Sequence, residues 1–249
     1  MTGNGAQKVS IDGPVELPLA PFDYKGTAFF ATPSYDATVC VDYCNAMLKA
    51  AVLLTSAGVK IEHYVHAGDI FIDKARNSIV EAFLDSGATD LIFVDADVGF
   101  DARALPRILM YEELVVGGLV PKRDKFKDDE YHMNALTGVI SPQGLFQSLE
   151  IPTAFVRIKR EVFTKLKRPF FKIGSSESDF GEDIYFCRKL MQLGEFCWID
   201  SDISFTHRGT KAWTGNFYDH CISKGILKKA DSHMLPPPPS NGAEAFNHA

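Results

Sequence analysis

The sequence predicts an α/β fold: a mostly parallel central sheet with helices on both faces and a small antiparallel extension. Three observations carry that reading. Between residues 26 and 121, short apolar runs alternate with helix-length amphipathic segments. One of those runs, Leu91 to Val94, is apolar without a break, as expected for a strand covered on both sheet faces. Beyond residue 125 the pattern turns to short strand-like pieces separated by Pro and Gly, which suits antiparallel additions.

The elements follow in order. Residues 1–25 are rich in Gly and Pro and read as an N-terminal arm. "GTAFFAT" (26–32) is a short strand stopped by Pro33. Residues 37–57 have helical spacing, with Val41, Cys44, Leu48, Ala51 and Val52 as the expected apolar face and Gly58 at the end. "VKIEHYVH" (59–66) alternates like a strand. Residues 71–86 form a second helix, with Ile72, Ala75, Ile79, Ala82 and Phe83 on one face and Gly87 after it. Residues 90–97 are the buried strand, 102–112 a short helix and 113–121 the next strand, whose Gly117 and Gly118 would let the backbone approach a ligand closely. Strand-like pieces at 134–141, 145–150 and 154–160 precede a helical turn or two at 161–167, a longer helix at 182–194 closed by Gly194, and a final strand at 195–207. The expected organisation is an arm (1–25), a catalytic domain (26–210) and a C-terminal extension (211–249) whose four consecutive prolines predict a disordered tail.

Composition narrows the functional classes. With 46% hydrophobic and 23% charged residues the chain is of ordinary globular type. A net charge of −6 lacks the basic surplus of a nucleic-acid binder. Local basic clusters remain at Lys122-Arg123-Asp124-Lys125 and at Lys165 to Arg168, suited either to a small anion or to solvated surface. Five cysteines, an odd number without a CxxC pair, read as buried free thiols in a reducing cytosol. No run approaches the ~18 apolar residues of a membrane span, and the N-terminus has neither the charged nor the apolar region of a signal peptide. The expected location is therefore cytoplasmic.

Chemistry is concentrated at the ends of predicted elements. Asp95 and Asp97 stand at the mouth of the buried strand, and open parallel sheets bind ligands beyond the carboxyl ends of their strands. Two carboxylates at i and i+2 can hold a hard divalent cation, Mg²⁺ or Mn²⁺, which often completes its shell with substrate phosphates. They can equally form a turn in which Asp97 caps the next helix. Glu182 and Asp183 follow Gly181 at a helix start, where the macrodipole favours acids as simple caps. His207 ends a strand just before Gly209.

The order of these stations resembles the nucleotide-sugar glycosyltransferases of the GT-A fold, a Rossmann-like architecture, and in particular family-2-like, small single-domain bacterial and phage members. "ATPSY" (31–35), "DKARN" (73–77), "VGGLVPKR" (116–123) and "FVRIKREVF" (155–163) add to the likeness, which spans about residues 26–210. The resemblance implies a hexosyltransferase-type enzyme using a nucleoside-diphosphate sugar as donor, with Mn²⁺ or Mg²⁺ held by Asp95, Asp97 and His207. It implies Asp183 as the base of an inverting reaction, with Glu182 as the alternative. Donor contacts are implied for Thr32, Pro33, Tyr35, Asp69, Arg76, Asn77, Asp95 and Lys122, with Arg123 beside it; capping, surface or ion-pair roles stay open for several of them. The loop 122–134 is a lid or a surface loop. "IPTAFVRIKR" departs from the family's usual "TGF"-type lead-in, and the acceptor stays open among glycan, lipid-linked and small-molecule hydroxyls, as does the oligomeric state. Two other readings compete. A haloacid-dehalogenase-like phosphatase would use the first acid as nucleophile, but its motif belongs on the first strand, and here two β-α units precede it. The other is a nucleotide-sugar- or glycan-binding domain without turnover.

Overall fold

The computed structural model describes residues 22–123, 130–131, 139–141, 144–174, 180–209, 212–226 and 228–229. Most of the expected arm, of the 122–134 loop and of the proline tail lies outside the described residues. In chain order the elements are β1 (Thr27–Ser34), α1 (Val41–Ser56), β2 (Lys60–Ala67), α2 (Ile72–Ser86), β3 (Asp90–Val94), β4 (Val98–Phe100), α3 (Ala104–Leu109), β5 (Val115–Gly117), β6 (Val139–Ile140), β7 (Leu145–Ser148), β8 (Phe155–Lys159), α4 (Arg160–Lys165), α5 (Glu182–Met191), β9 (Cys197–Asp200), β10 (Ser204–Arg208), β11 (Ala212–Asn216), α6 (Phe217–Lys224) and β12 (Lys228–Lys229).

The central sheet has seven strands in the order β2-β1-β3-β8-β5-β9-β7. The strands β2, β1, β3, β5 and β9 run one way; β8 and β7 run against them. The mixed α/β class with a mostly parallel sheet is thus the one expected. The antiparallel strands differ from expectation in place: β8 is not an extension but sits between β3 and β5, closing the gap left by a crossover. The predicted strand at 195–207 is two strands, because the chain turns at Ser201-Asp202 and passes from the main sheet into a second, three-stranded sheet ordered β11-β10-β4. β6 and β12 make a separate parallel pair.

Successive residues of a strand point to opposite faces, and the core divides accordingly. Phe29 and Ala31 of β1, Leu91 and Phe93 of β3, and Val156 and Ile158 of β8 pack against Ile79 and Phe83 of α2 and Phe186 of α5. Ala28, Phe30, Ile92, Val94 and Phe155 face the other way, onto Met47 and Leu54 of α1 and Ile108 of α3. Each of the larger side chains, Val, Leu, Ile, Met or Phe, contributes about 1.5–3 kcal/mol when fully buried, and the two layers cover both faces of the strands that carry the site. No helix among the described residues is long and apolar enough to cross a membrane.

Two expectations are corrected here. The buried face of α1 is Tyr43, Ala46, Met47, Ala50, Leu53 and Leu54, whereas Val41 and Leu48 are 67% and 54% exposed and Cys44 is exposed too. The helix carries two apolar stripes at helical spacing, and the sheet takes the one with the larger side chains. The glycines of "VGGLVP" serve packing rather than ligand approach. A Cβ on Gly117 would lie 2.2 Å from the Phe155 carbonyl oxygen of the neighbouring strand, and one on Gly118 would lie 2.5 Å from the Phe205 ring. Gly117→Ala is therefore expected to lower stability by about 1–3 kcal/mol, the range of an overpacked core. Urea unfolding with an unchanged midpoint would refute this.

Candidate functional site

Three strands build the site. Because β1, β2 and β3 are parallel, their carboxyl ends share one edge of the sheet, and the chain leaves each in a polar turn. These turns enclose an open cleft of about 640 Å³ whose lining includes Pro33, Tyr35, Asp69, Asp95, Asp97 and Arg123. That volume is ordinary for a small-molecule site. The turns are braced locally. The Ser34 hydroxyl donates to the Thr38 carbonyl at 2.7 Å, Asp36 accepts from Thr38, and the Cys40 N–H donates to the Ala96 carbonyl at 2.8 Å, tying the start of α1 to the Asp95–Asp97 turn.

Asp97 meets His207 through a strand pairing that the sequence hardly announces. β4 begins one residue after Asp97 and pairs antiparallel with β10, setting His207 opposite Val98. The Arg208 N–H donates to the Asp97 carbonyl at 2.8 Å. His207 Nε2 then lies 3.5 Å from Asp97 Oδ2, while Nδ1 is 2.7 Å from the Pro121 carbonyl. A carbonyl can only accept, so Nδ1–H donates to it and Nε2 is the nitrogen facing the carboxylate. Arg123 Nη1 approaches the same Asp97 oxygen at 3.1 Å. Burial pushes the Asp97 carboxyl up, but His207 and then Arg123 outweigh it and hold it below the usual carboxylate range.

Asp95 has a different partner. The Arg76 side chain, 3% exposed, donates from Nη2 to Asp95 Oδ1 and from Nε to Glu182 Oε1, each at 3.0 Å. Its guanidinium lies 5.0 Å from the centre of the Phe93 ring, and Nη1 is buried without a hydrogen-bond partner among the described residues. Burial raises the Asp95 carboxyl above its ordinary value, against the pull of Arg76. The first acid of the pair is thus braced from below, and the second faces His207.

Glu182 and Asp183 open α5. Glu182 is held by Arg76. Asp183 folds back so that Oδ1 accepts from the Ile184 N–H at 2.8 Å, and Gly181 leaves the space for it: a Cβ there would lie 2.6 Å from that oxygen. Burial first, and the neighbouring Glu182 second, push the Asp183 carboxyl up.

The remaining predicted residues divide between cleft and scaffold. Pro33 and Tyr35 line the cleft, and the Tyr35 ring is 69% exposed. Asp69 lines it too, while Oδ1 accepts from the Phe71 N–H at 3.0 Å, shaping the entry to α2. Thr32 points into the core, its hydroxyl 2.6 Å from that of Tyr43. Asn77 is a clamp: its amide donates to the Asp73 and Phe171 carbonyls, and its carbonyl oxygen accepts from the Phe170 and Phe171 N–H groups. Lys122 is half-buried and outside the cleft lining, where Arg123 stands instead. Among the described residues no three His, Cys, Asp or Glu side chains converge into a ready-made metal cluster. Sequence reasoning did not foresee the Arg208–Asp42 ion pair, which ties β10 to α1 beside the site; no local pattern marks it.

No protein-family model and no curated protein matches the chain. Among solved structures, that of GalNAc-T7 with UDP, GalNAc and Mn²⁺ aligns at 12% identity and a TM-score of 0.41, over 74% of this chain and 44% of its own, so this chain spans under half of that protein. The crystal structure of A197 from STIV aligns at 19% identity and a TM-score of 0.53, over 74% of this chain and 86% of its own. That likeness is one of fold: the mixed α/β architecture built on this sheet is shared with A197.

Proposed function

We propose that the chain is a metal-dependent glycosyltransferase that moves a sugar from a nucleoside-diphosphate sugar to an acceptor hydroxyl with inversion. The observation that carries the reading is the Asp97–His207 pair at the mouth of the parallel strands. A histidine whose Nδ1–H is fixed by a backbone carbonyl is oriented to offer Nε2 as a ligand, and the carboxylate 3.5 Å away supplies the oxygen. Mn²⁺ and Mg²⁺ sites commonly take one or two protein ligands and leave the rest to phosphates, so the pair fits such an ion without a third protein ligand. Asp95 lines the same cleft with one oxygen already bound to Arg76. When bound, the metal would neutralise charge growing on the departing diphosphate.

The chain's own residues would do the rest. Pro33, Tyr35 and Asp69 flank the cleft where the nucleoside would lie, with the exposed Tyr35 ring available for stacking on a base. Asp183 is the better base of the two acids, since Glu182 is occupied by Arg76. The phosphatase alternative would need Asp95 as nucleophile, and the ion pair with Arg76 disfavours that.

The test is nucleotide binding. Wild-type protein is expected to be stabilised thermally by one nucleoside diphosphate from a panel (UDP, GDP, CDP, ADP, dTDP) and only in the presence of Mn²⁺, by mass action on the folded state. Asp97→Ala should abolish that metal-dependent shift. Unchanged affinity and Mn²⁺ dependence in the variant would sink the metal assignment.

A further inference from the structure

We infer that Arg123 is a place-holder: it occupies the cation position beside Asp97 in the ligand-free protein and leaves it to become the phosphate ligand of the donor when metal and diphosphate arrive. This inference rests on the reading of Asp97 and His207 as metal ligands.

The geometry has three parts. First, one oxygen has two claimants. Asp97 Oδ2 is 3.1 Å from Arg123 Nη1 and 3.5 Å from His207 Nε2. A divalent ion held by Asp97 and His207 would draw on the same carboxylate oxygen that Arg123 now approaches. The divalent ion and the guanidinium compete for the negative charge of one carboxylate, so the ion pair with Arg123 opposes metal binding.

Second, Arg123 can leave. Its side chain is 49% exposed, and its other hydrogen bond among the described residues is a long one, 3.3 Å from Nη1 to the Arg208 carbonyl. It lies flush across Gly209, where an added Cβ would come within 3.0 Å of Arg123 Cδ. The contrast with Arg76, which is buried and held by two carboxylates, is sharp. One arginine is part of the scaffold; the other is a half-exposed arm resting on it.

Third, a diphosphate supplies the arm's destination. Arg123 is the only basic residue among the described residues that line the cleft, against Asp36, Asp69, Asp95 and Asp97. The diphosphate of a nucleotide sugar carries two negative charges, which a divalent ion balances, and a further charge would grow on it as the sugar leaves; a planar guanidinium fits phosphate oxygens carrying that charge. The same side chain would thus oppose metal binding when the cleft is empty and favour the metal–diphosphate when it is filled. Such an arrangement couples the two ligands: neither displaces Arg123 to full advantage without the other.

The test separates those opposite signs with Arg123→Gln, which removes a half-exposed ion pair and should lower the melting temperature of the free protein by at most about 4 °C. Mn²⁺ affinity is measured without nucleotide by electron paramagnetic resonance. Affinity for the best-binding nucleoside diphosphate of the panel is measured by calorimetry at saturating Mn²⁺. Mn²⁺ alone should bind about two- to fivefold more tightly to the variant, the change expected from releasing a half-exposed ion pair. The diphosphate should bind about 10- to 100-fold more weakly, as for loss of hydrogen bonds to a charged group. If both affinities fall together, or the Mn²⁺ affinity does not rise, the place-holder role is wrong while the metal site stands. If wild-type protein binds neither Mn²⁺ nor a Mn²⁺–nucleotide, the metal site itself is wrong and Arg123 goes with it.

Discussion

Under the proposed mechanism, Asp183→Asn is expected to reduce sugar transfer by on the order of 10²–10⁴-fold, the usual contribution of a positioned general base, while leaving nucleoside-diphosphate binding nearly intact. The carboxylate opens α5, whereas the proposed metal ligands Asp97 and His207 lie just before β4 and on β10, so the substitution removes neither of them. Its environment also suits the task. Burial and Glu182 raise its pKa, which makes the carboxylate a stronger proton acceptor than an exposed aspartate. The acidic limb of the kcat/KM profile should accordingly lie above the ordinary carboxylate range and should report this group in the free enzyme.

The same shift fixes the sign of the stability effect. A folded-state pKa above the unfolded value means that the native protein binds the proton more readily than the unfolded chain. Stability from this group is therefore greatest at low pH, falls as pH rises from the unfolded value of about 3.9 through the raised one, and stays reduced at neutral pH. Asparagine removes that burden, so the variant should be at least as stable as wild type at pH 7. Thermal unfolding run beside the transfer assay then separates lost chemistry from lost structure. Full transfer activity in Asp183→Asn would overturn the base assignment and, with it, the argument for inversion.

How much of this was readable beforehand depends on the range of the interaction. The frame through β3 is written locally: apolar runs of strand length, amphipathic segments of helix length, and glycines at 58 and 87 that adopt positive φ where helices end. From that frame the edge location of Asp95 and Asp97 follows. The face of α1 did not follow, because Val41-Cys44-Leu48 and Tyr43-Met47-Ala50-Leu54 are both helix-periodic and only the sheet chooses between them. β4, three residues long, is too short to stand out, yet its pairing with β10 is what brings His207 to Asp97 across the chain. Arg123 is similar: it lines the cleft from an irregular segment beyond β5, where no periodic pattern tells which way a side chain points.

Arg76 is the case in which a local signal existed. It lies at spacing i, i+3, i+4, i+7 with Ile79, Val80 and Phe83, all on the buried stripe of α2. A charge on such a stripe must be paired, and the acids free to meet it are those at the strand and helix ends. Arg76→Met keeps volume and helix propensity but leaves Asp95 and Glu182 without their shared cation. Removing one partner of a buried pair typically costs about 3–5 kcal/mol, mainly because the remaining charge stays desolvated. That loss is the expected result in urea at pH 7. It should shrink towards pH 5, since burial already holds Asp95 above its ordinary pKa and loss of the opposing guanidinium raises it further, so that protonation relieves the uncompensated charge. Arg76→Lys should fall between the two: a single ammonium can meet one carboxylate but not span the Nε and Nη2 positions that reach both. A deficit below about 1 kcal/mol in Arg76→Met, the scale of a surface pair, would mean that the triad is not the brace beneath the Asp95–Asp97 turn, and that the rigidity of the turn must come instead from the Cys40–Ala96 and Arg208–Asp97 backbone hydrogen bonds.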